Sequence, residues 1–201
     1  MWAALTMGAE PTNGNERKKR QPYSEMRSRE YLTEGEVGSL VDAAGKSAYP
    51  VRNKLLILLA YNHGLRASEL LDLKWDAIAF EDESIFVKRT KGGIDSVQDL
   101  SKEELHLLKR LAGEVKGHRH LFISRQGLPM STSTFRKLVS QLGKDAGIEF
   151  SIHPHMLRHS CGYRAVEADK NMRKLQIYLG HKSYQNTLRY SAVASVRGFW
   201  D

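Results

Sequence analysis

The sequence holds a single cysteine, Cys161, so it can build neither an intramolecular disulfide framework nor a thiolate zinc cluster. Its longest unbroken apolar run, Leu55 to Tyr61, is far too short to span a bilayer. The opening Met-Trp-Ala-Ala-Leu lacks the basic region and the length of a signal peptide. Internal repeats and collagen-like or coiled-coil composition are also missing. These absences lead us to expect a soluble protein of the reducing cytosol or bacterial nucleoid, with no membrane partner. The 201 residues suffice for one domain with a sizeable core, or one domain plus a tail.

What the chain does have is positive charge, and it is unevenly placed. Residues 1–29 carry six basic and three acidic side chains, six minus three giving +3. Residues 30–149 carry seventeen of each and are neutral. Residues 150–201 carry eight basic and three acidic, eight minus three giving +5. The total of +8 therefore sits partly on the last quarter of the chain and not only on its start. A bland reading is solubility charge; the concentration points instead to a polyanionic partner, nucleic acid above all.

Residues 1–29 are polar, lack hydrophobic period and contain Arg17-Lys18-Lys19-Arg20, the composition of a disordered basic arm. Thr33-Glu34-Gly35-Glu36 resembles a capping box that opens a helix with Val37, Leu40 and Val41 inward. Pro50 precedes Val51–Tyr61, apolar nearly all round, which predicts a buried helix ending at Gly64. Helical spacing resumes over Leu65–Leu73. Ser84–Lys88 reads as a strand, Lys91-Gly92-Gly93 as a turn and Ile94–Val97 as the returning strand. Ser101–Glu104 is a second capping box, before a helix with Leu105, Leu108, Leu111 and Ala112 on one face. Leu121-Phe122-Ile123 is a short buried segment. Phe135, Leu138, Val139, Leu142 and Ala146 follow helical spacing up to Gly147. Pro154 suits the first turn of a helix to about Ala168, Asp169–Leu179 gives another stopped by Gly180, and Ser183 can cap a last one containing Tyr190. The fold class predicted is mainly α with a small antiparallel β-sheet.

Chemistry gathers in the charged last quarter. In His155-Met156-Leu157-Arg158 the imidazole and guanidinium share one helical face near a helix N-terminus, a setting suited to an anion. By itself a His-x-x-Arg is an ordinary surface arginine beside a capping histidine. Two further elements shift the balance. Arg66 and Glu69 stand three apart, where the carboxylate either orients the arginine or solvates a helix. His181 follows a helix stop, with Tyr190 nine residues on.

Taken in order, Arg66 in "HGLRASELLDL", Lys91 in a hairpin turn, "HPHMLRHSCGY", "YLGH" and Tyr190 in "NTLRYSA" resemble the signature of the tyrosine recombinase, or phage integrase, catalytic domain. The likeness runs from about Leu32 to Asp201, which predicts residues 1–29 as an arm and 30–201 as a catalytic domain of the integrase-like fold. Within the family, "HPHMLRHSCGY", "FISRQGLPMS" and "GFWD" are most similar to the bacterial inversion recombinases that switch fimbrial expression, that is, phase variation.

The resemblance implies a role for each residue. Tyr190 attacks the scissile phosphate and forms a 3′-phosphotyrosyl link. A phenol with a free pKa of about 10 is a poor nucleophile and needs help with proton and charge. Arg66 and Arg158 hold the nonbridging oxygens, and His181 adds a hydrogen bond. His155 takes or orients the tyrosine proton, Lys91 protonates the departing 5′ oxygen, and Glu69 fixes Arg66. Lys88, Arg89 and Arg189 are expected on DNA phosphates. The covalent link conserves bond energy, so the resemblance implies neither metal, ATP nor other cofactor. His153, His155, His159 and His181 could also suggest a metal site, but no carboxylate accompanies that segment. Cys161, Tyr178 and Tyr184 read as structural.

The partners implied are double-stranded DNA at paired sites, further protomers forming a tetramer on it, and DNA-bending accessory proteins. The alternatives are an integrase or resolvase of a mobile element, a type IB topoisomerase, and a noncatalytic DNA-binding regulator that keeps the fold. Most tyrosine recombinases carry a separate N-terminal core-binding domain; here about thirty polar residues precede the catalytic part, which predicts dependence on partners or on assembly over paired sites. Val193, Val196, Phe199 and Trp200 after the tyrosine predict a segment that docks, on its own domain or on a neighbouring protomer.

Overall fold

Helix α1 (Glu34–Gly45) starts where its capping box demands: the Glu36 amide donates to Thr33 Oγ1 at 3.3 Å, and the Thr33 amide to Glu36 Oε2 at 2.8 Å. The structure is a computed structural model that describes residues 29–168 and 171–191, and of Lys91 the backbone only. The expected arm, except for Arg29, and the expected docking segment with Val193, Val196, Phe199 and Trp200 lie outside the described residues. Arg29 itself belongs with the domain: it pairs with Glu36 at 2.5 Å and lies over the Phe150 ring.

Helix α2 (Pro50–Asn62) is the centre of the molecule, with α1, α4 and α6 packed around it. Leu55, Leu56, Ile57 and Leu59 are wholly buried, as an all-round apolar helix must be. Each such side chain contributes about 1.5–3 kcal/mol by leaving water. Gly64 ends the segment at φ 56, in the left-handed region. There a Cβ would also meet the Leu179 side chain at 2.4 Å, so the turn tolerates only glycine. The helix expected over Leu65–Leu73 is shorter than predicted: α3 covers Ala67–Leu71, with Arg66 extended in front of it.

Strands β1 (Ile78–Ala79), β2 (Ser84–Val87) and β3 (Ser96–Asp99) form one antiparallel sheet in that order. A two-residue β1 carries no period and was not legible in the sequence. The returning strand begins two residues later than the predicted Ile94–Val97. Asp95 is occupied in closing the turn, its Oδ1 accepting the Arg89 amide at 2.7 Å. This register pairs Val87 with Ser96 and Phe86 with Val97. It also turns Gln98 inward, where its Oε1 lies 2.9 Å from His63 Nδ1 and its Nε2 donates to the Tyr178 carbonyl at 2.9 Å.

Four of the five remaining helices start close to the residues predicted. Helix α4 (Lys102–Glu114) has the Ser101–Glu104 box, with Leu105, Leu108 and Leu111 buried. Helix α5 (Thr132–Asp145) buries Phe135, Val139 and Leu142, and Gly147 follows at φ 72. Leu121 and Phe122 are fully buried between α4 and α5. Helix α6 (Pro154–Glu167) has its proline in the first turn, α7 (Met172–Leu179) stops at left-handed Gly180, and α8 (Gln185–Ser191) carries Tyr190. Helix α7 starts three residues after the predicted Asp169, at an Asn171 cap whose Oδ1 accepts the Arg173 and Lys174 amides. The apolar side chains form a main core from Leu32 to Leu157 and a smaller cluster of Cys161, Leu175, Leu179 and Tyr190 that holds α6, α7 and α8 together. No helix among the described residues is long and apolar enough to cross a membrane.

Candidate active site

The α6 sequence sets its own site. Pro154 starts the helix, and the 3.6-residue repeat then places His155, Arg158 and His159 on neighbouring turns of one side. Arg158 points inward and is almost fully buried. Its Nη2 donates to the Leu179 carbonyl at 2.6 Å and its Nη1 to the Gly64 carbonyl. Burial, reinforced by the nearby Arg66 and Arg89 charges, lowers its pKa to about 10. A guanidinium there is still charged at neutral pH, and a further anion would be welcome beside it.

Glu69 joins both arginines to the hairpin. Its Oε1 accepts from Arg66 Nη1 at 2.5 Å and from the Thr90 amide and hydroxyl, each at 3.2 Å. Its Oε2 accepts from the Arg66 amide and from Arg89 Nη1, both at 2.9 Å, and lies 3.8 Å from Arg158 Nη1. Burial alone would push this carboxyl up; the Arg66 amide and the Arg89 and Arg66 guanidinium groups outweigh it and hold the pKa at about 2. Glu69 is thus a permanently ionised anchor. Arg66, whose side chain is one-third exposed, keeps a free edge toward solvent.

Tyr190 lies against the same side of α6. Its ring is buried to 1% exposure and rests on Gly162, where a Cβ would come within 2.5 Å of Cζ. His181 stacks on the ring at 6.3 Å and 13°, and its Nδ1 is 2.8 Å from Thr187 Oγ1, which fixes the imidazole one turn before the tyrosine. Gln176 steadies the turn by donating to the His181 carbonyl at 2.9 Å. The imidazole recorded against the Tyr190 hydroxyl is that of His159, at 3.3 Å from Nδ1. His155, expected to fill that place, is exposed and meets His159 edge-on at 4.5 Å between ring centres. The i, i+4 spacing of the two histidines on α6 was a signal available in the sequence. Burial, followed by the His155, Arg189 and Arg158 charges, lowers the His159 pKa to about 3; burial with Arg158 and Arg66 lowers that of His181 to about 4. Burial raises that of Tyr190, with Arg158 opposing.

Among the other predicted residues, Lys88 is exposed beside the hairpin and free to meet a phosphate. Arg89 is not. Its side chain is 0% exposed and its guanidinium is committed to Glu69, to the carbonyls of His63 and Gly64, and to that of Tyr178. Two residues past the end of β2, Arg89 instead turns inward between two exposed neighbours, Lys88 and Thr90. Arg189 is half-exposed and paired with Glu30 at 3.0 Å. The Lys91 backbone lies in a 3-10 turn, Thr90–Gly92, and its side chain lies outside the described part. Cys161 is buried, donates to the Asn62 carbonyl at 3.4 Å and has its pKa pushed up to about 11 by burial, as a packing residue would. The Tyr178 hydroxyl donates to the same carbonyl at 2.8 Å. Tyr184 is 39% exposed. Among the described residues no three His, Cys, Asp or Glu side chains converge as metal ligands would.

Residues 30–197 match the phage integrase family. The type 1 fimbriae regulatory protein FimB of Escherichia coli K12 is 35% identical over 185 residues, which cover 89% of this chain and 92% of that protein. Its counterpart FimE from the same strain is 36% identical over 184 residues, 88% of this chain and 93% of FimE. The crystal structure of the XerA recombinase superposes with a TM-score of 0.73 at 27% identity, over 82% of this chain and 61% of that one. The mainly helical fold with its three-stranded sheet is that of tyrosine recombinase catalytic domains. The chain belongs to the phage integrase family and is a tyrosine-type site-specific recombinase.

Proposed function

We propose that this recombinase inverts a DNA segment, cutting and rejoining each strand through Tyr190. The observation that carries the assignment of roles is the meeting of Tyr190 with His159 and His181 beside the Arg158–Glu69–Arg66 assembly. Tyr190 Oη forms a bond to phosphorus as the bond from phosphorus to the 5′ oxygen breaks. The phenolic proton passes to an imidazole of the His155–His159 pair, and Lys91 supplies a proton to the departing oxygen. Arg66, Arg158 and His181 hold the nonbridging oxygens, where charge accumulates. Burial and the surrounding cations hold His159 far below its ordinary basicity. An incoming phosphodiester neutralises those cations and moves the imidazole back toward a useful proton acceptor.

Double-stranded DNA at two paired sites is the substrate, and further protomers complete a tetramer on it. Residues 150–201, with their excess of five positive charges, supply part of the attraction; eight basic minus three acidic gives that figure. Similarity to the fimbrial regulators over nearly the full length of both chains supports inversion over integration or excision.

Two measurements test this reading. On a nicked suicide substrate the native protein should form a covalent protein–DNA adduct, and Tyr190→Phe should form none while still binding DNA. In a plasmid bearing a promoter segment between two inverted copies of the recombination site, orientation should switch with the native protein only. Excision between direct repeats without any inversion would place the chain with integrases and resolvases. Adducts persisting in Tyr190→Phe would remove the nucleophile.

A further inference from the structure

We propose that Arg89 is a positioning residue that locks the turn carrying Lys91 against the Arg66–Glu69 pair, so that its loss specifically disables protonation of the leaving group. The proposal rests on the role given above to Lys91.

Arg89 stands two residues before Lys91, and its guanidinium reaches three separate elements. Nη1 donates to Glu69 Oε2 at 2.9 Å and to the Gly64 carbonyl at 3.4 Å, Nη2 to the His63 carbonyl at 3.2 Å and to the Tyr178 carbonyl. One hairpin residue is thereby tied to the end of α2, to α3 and to the end of α7. Its Nε finds no hydrogen-bond partner among the described residues. A buried cation with an unsatisfied N–H is a poor way to gain stability, since apolar side chains often replace buried ion pairs at no loss. What the fork gives instead is register.

The flanking contacts repeat the pattern. The next residue, Thr90, donates from both its amide and its hydroxyl to Glu69 Oε1. The Arg89 amide closes the turn on Asp95 Oδ1. The turn holding Lys91 is therefore fixed at its start to the carboxylate that orients Arg66, and closed on itself at its end. The stem of Arg89 threads between two glycines. A Cβ on Gly93 would stand 2.8 Å from Arg89 Cβ and 2.6 Å from the Gly180 carbonyl oxygen, and one on Gly180 would stand 2.4 Å from Arg89 Cγ. Gly180 also sits at φ 65 immediately before His181, so the same stem abuts the turn that presents that histidine. Proton donor, phosphate-holding arginine and histidine share one internal brace.

The test compares ordinary suicide DNA with DNA whose bridging 5′ oxygen is sulfur, a leaving group that needs no acid. Arg89→Lys keeps the charge and loses the planar fork; Thr90→Val removes one bond at an exposed position and guards against a folding failure of the first. A turn displaced by about 1 Å should slow cleavage of ordinary DNA by about a hundredfold in Arg89→Lys and about tenfold in Thr90→Val. Both variants, like Lys91→Ala, should recover on the sulfur substrate. If Lys91→Ala recovers on sulfur while Arg89→Lys and Thr90→Val stay equally slow on both substrates, Arg89 is merely structural and the proposal falls alone. If Lys91→Ala itself fails to recover, the role of Lys91 falls and takes the proposal with it.

Discussion

Nδ1 of His159 stands 3.3 Å from the Tyr190 hydroxyl, and no other imidazole among the described residues is hydrogen-bonded to it. His181 meets the same tyrosine through its ring face, with its own Nδ1 turned to Thr187. The two histidines therefore meet the tyrosine differently, one at its hydroxyl and the other at its ring face, and the proposed reaction gives the first the phenolic proton and the second a phosphate oxygen.

Replacing His159 should consequently cost more than replacing its neighbour on α6. We expect His159→Ala to slow adduct formation by about a hundredfold, within the range for losing a positioned proton acceptor, and His155→Ala by about tenfold. Single-turnover cleavage on suicide DNA measures both. The reverse order would return the proton to His155.

Stability should fall as the solution is acidified from neutral. In the folded protein His159 titrates at about 3 and His181 at about 4, against about 6.5 in the unfolded chain. Between those values the unfolded state binds more protons, so stability is full above pH 6.5 and is lost progressively toward pH 4 and pH 3. The melting temperature should be lower at pH 5 than at pH 7, and His159→Gln should flatten that slope. A melting temperature that rises on acidification would contradict the burial of neutral imidazoles.

Glu69→Gln removes the charge that balances Arg89 inside the protein. An uncompensated buried charge costs about 3–5 kcal/mol, and chemical denaturation should show a loss of that order. The same variant should lower cleavage, because Arg66 loses its 2.5 Å partner. A variant as stable as the native protein would mean the cluster relaxes to admit water.

Gly162→Ala places a methyl group within 2.5 Å of the Tyr190 ring. Helix α8 must then retreat from α6, and overpacking of this kind costs about 1–3 kcal/mol. We expect a lower melting temperature together with greater reactivity of Tyr190 toward a phenol-nitrating reagent, read by peptide mass. Unchanged nitration at reduced stability would place the strain elsewhere than the tyrosine.

Much of this protein follows from local chemistry. The capping boxes at Thr33 and Ser101, the proline at the first turn of α6 and the left-handed glycines after α2, α5 and α7 act within a few residues, so sequence alone placed those boundaries. The ordered signature from Arg66 to Tyr190 likewise carried family and chemistry. What sequence could not decide depends on contacts between distant segments. Arg89 and Lys88 are adjacent basic residues just past the end of β2, and only the packing of Gly180 and the end of α7 against them makes one a buried brace and leaves the other exposed. His155 and His159 share one helix and differ by one turn; the docking of α8 decided which of them meets Tyr190. Strand period reports which face a side chain takes, and helix spacing which residues are neighbours, but neither reports what lies opposite. That is settled by tertiary packing, where the burial of Leu175, Leu179 and Tyr190 against α6 fixes the position of every group around the tyrosine.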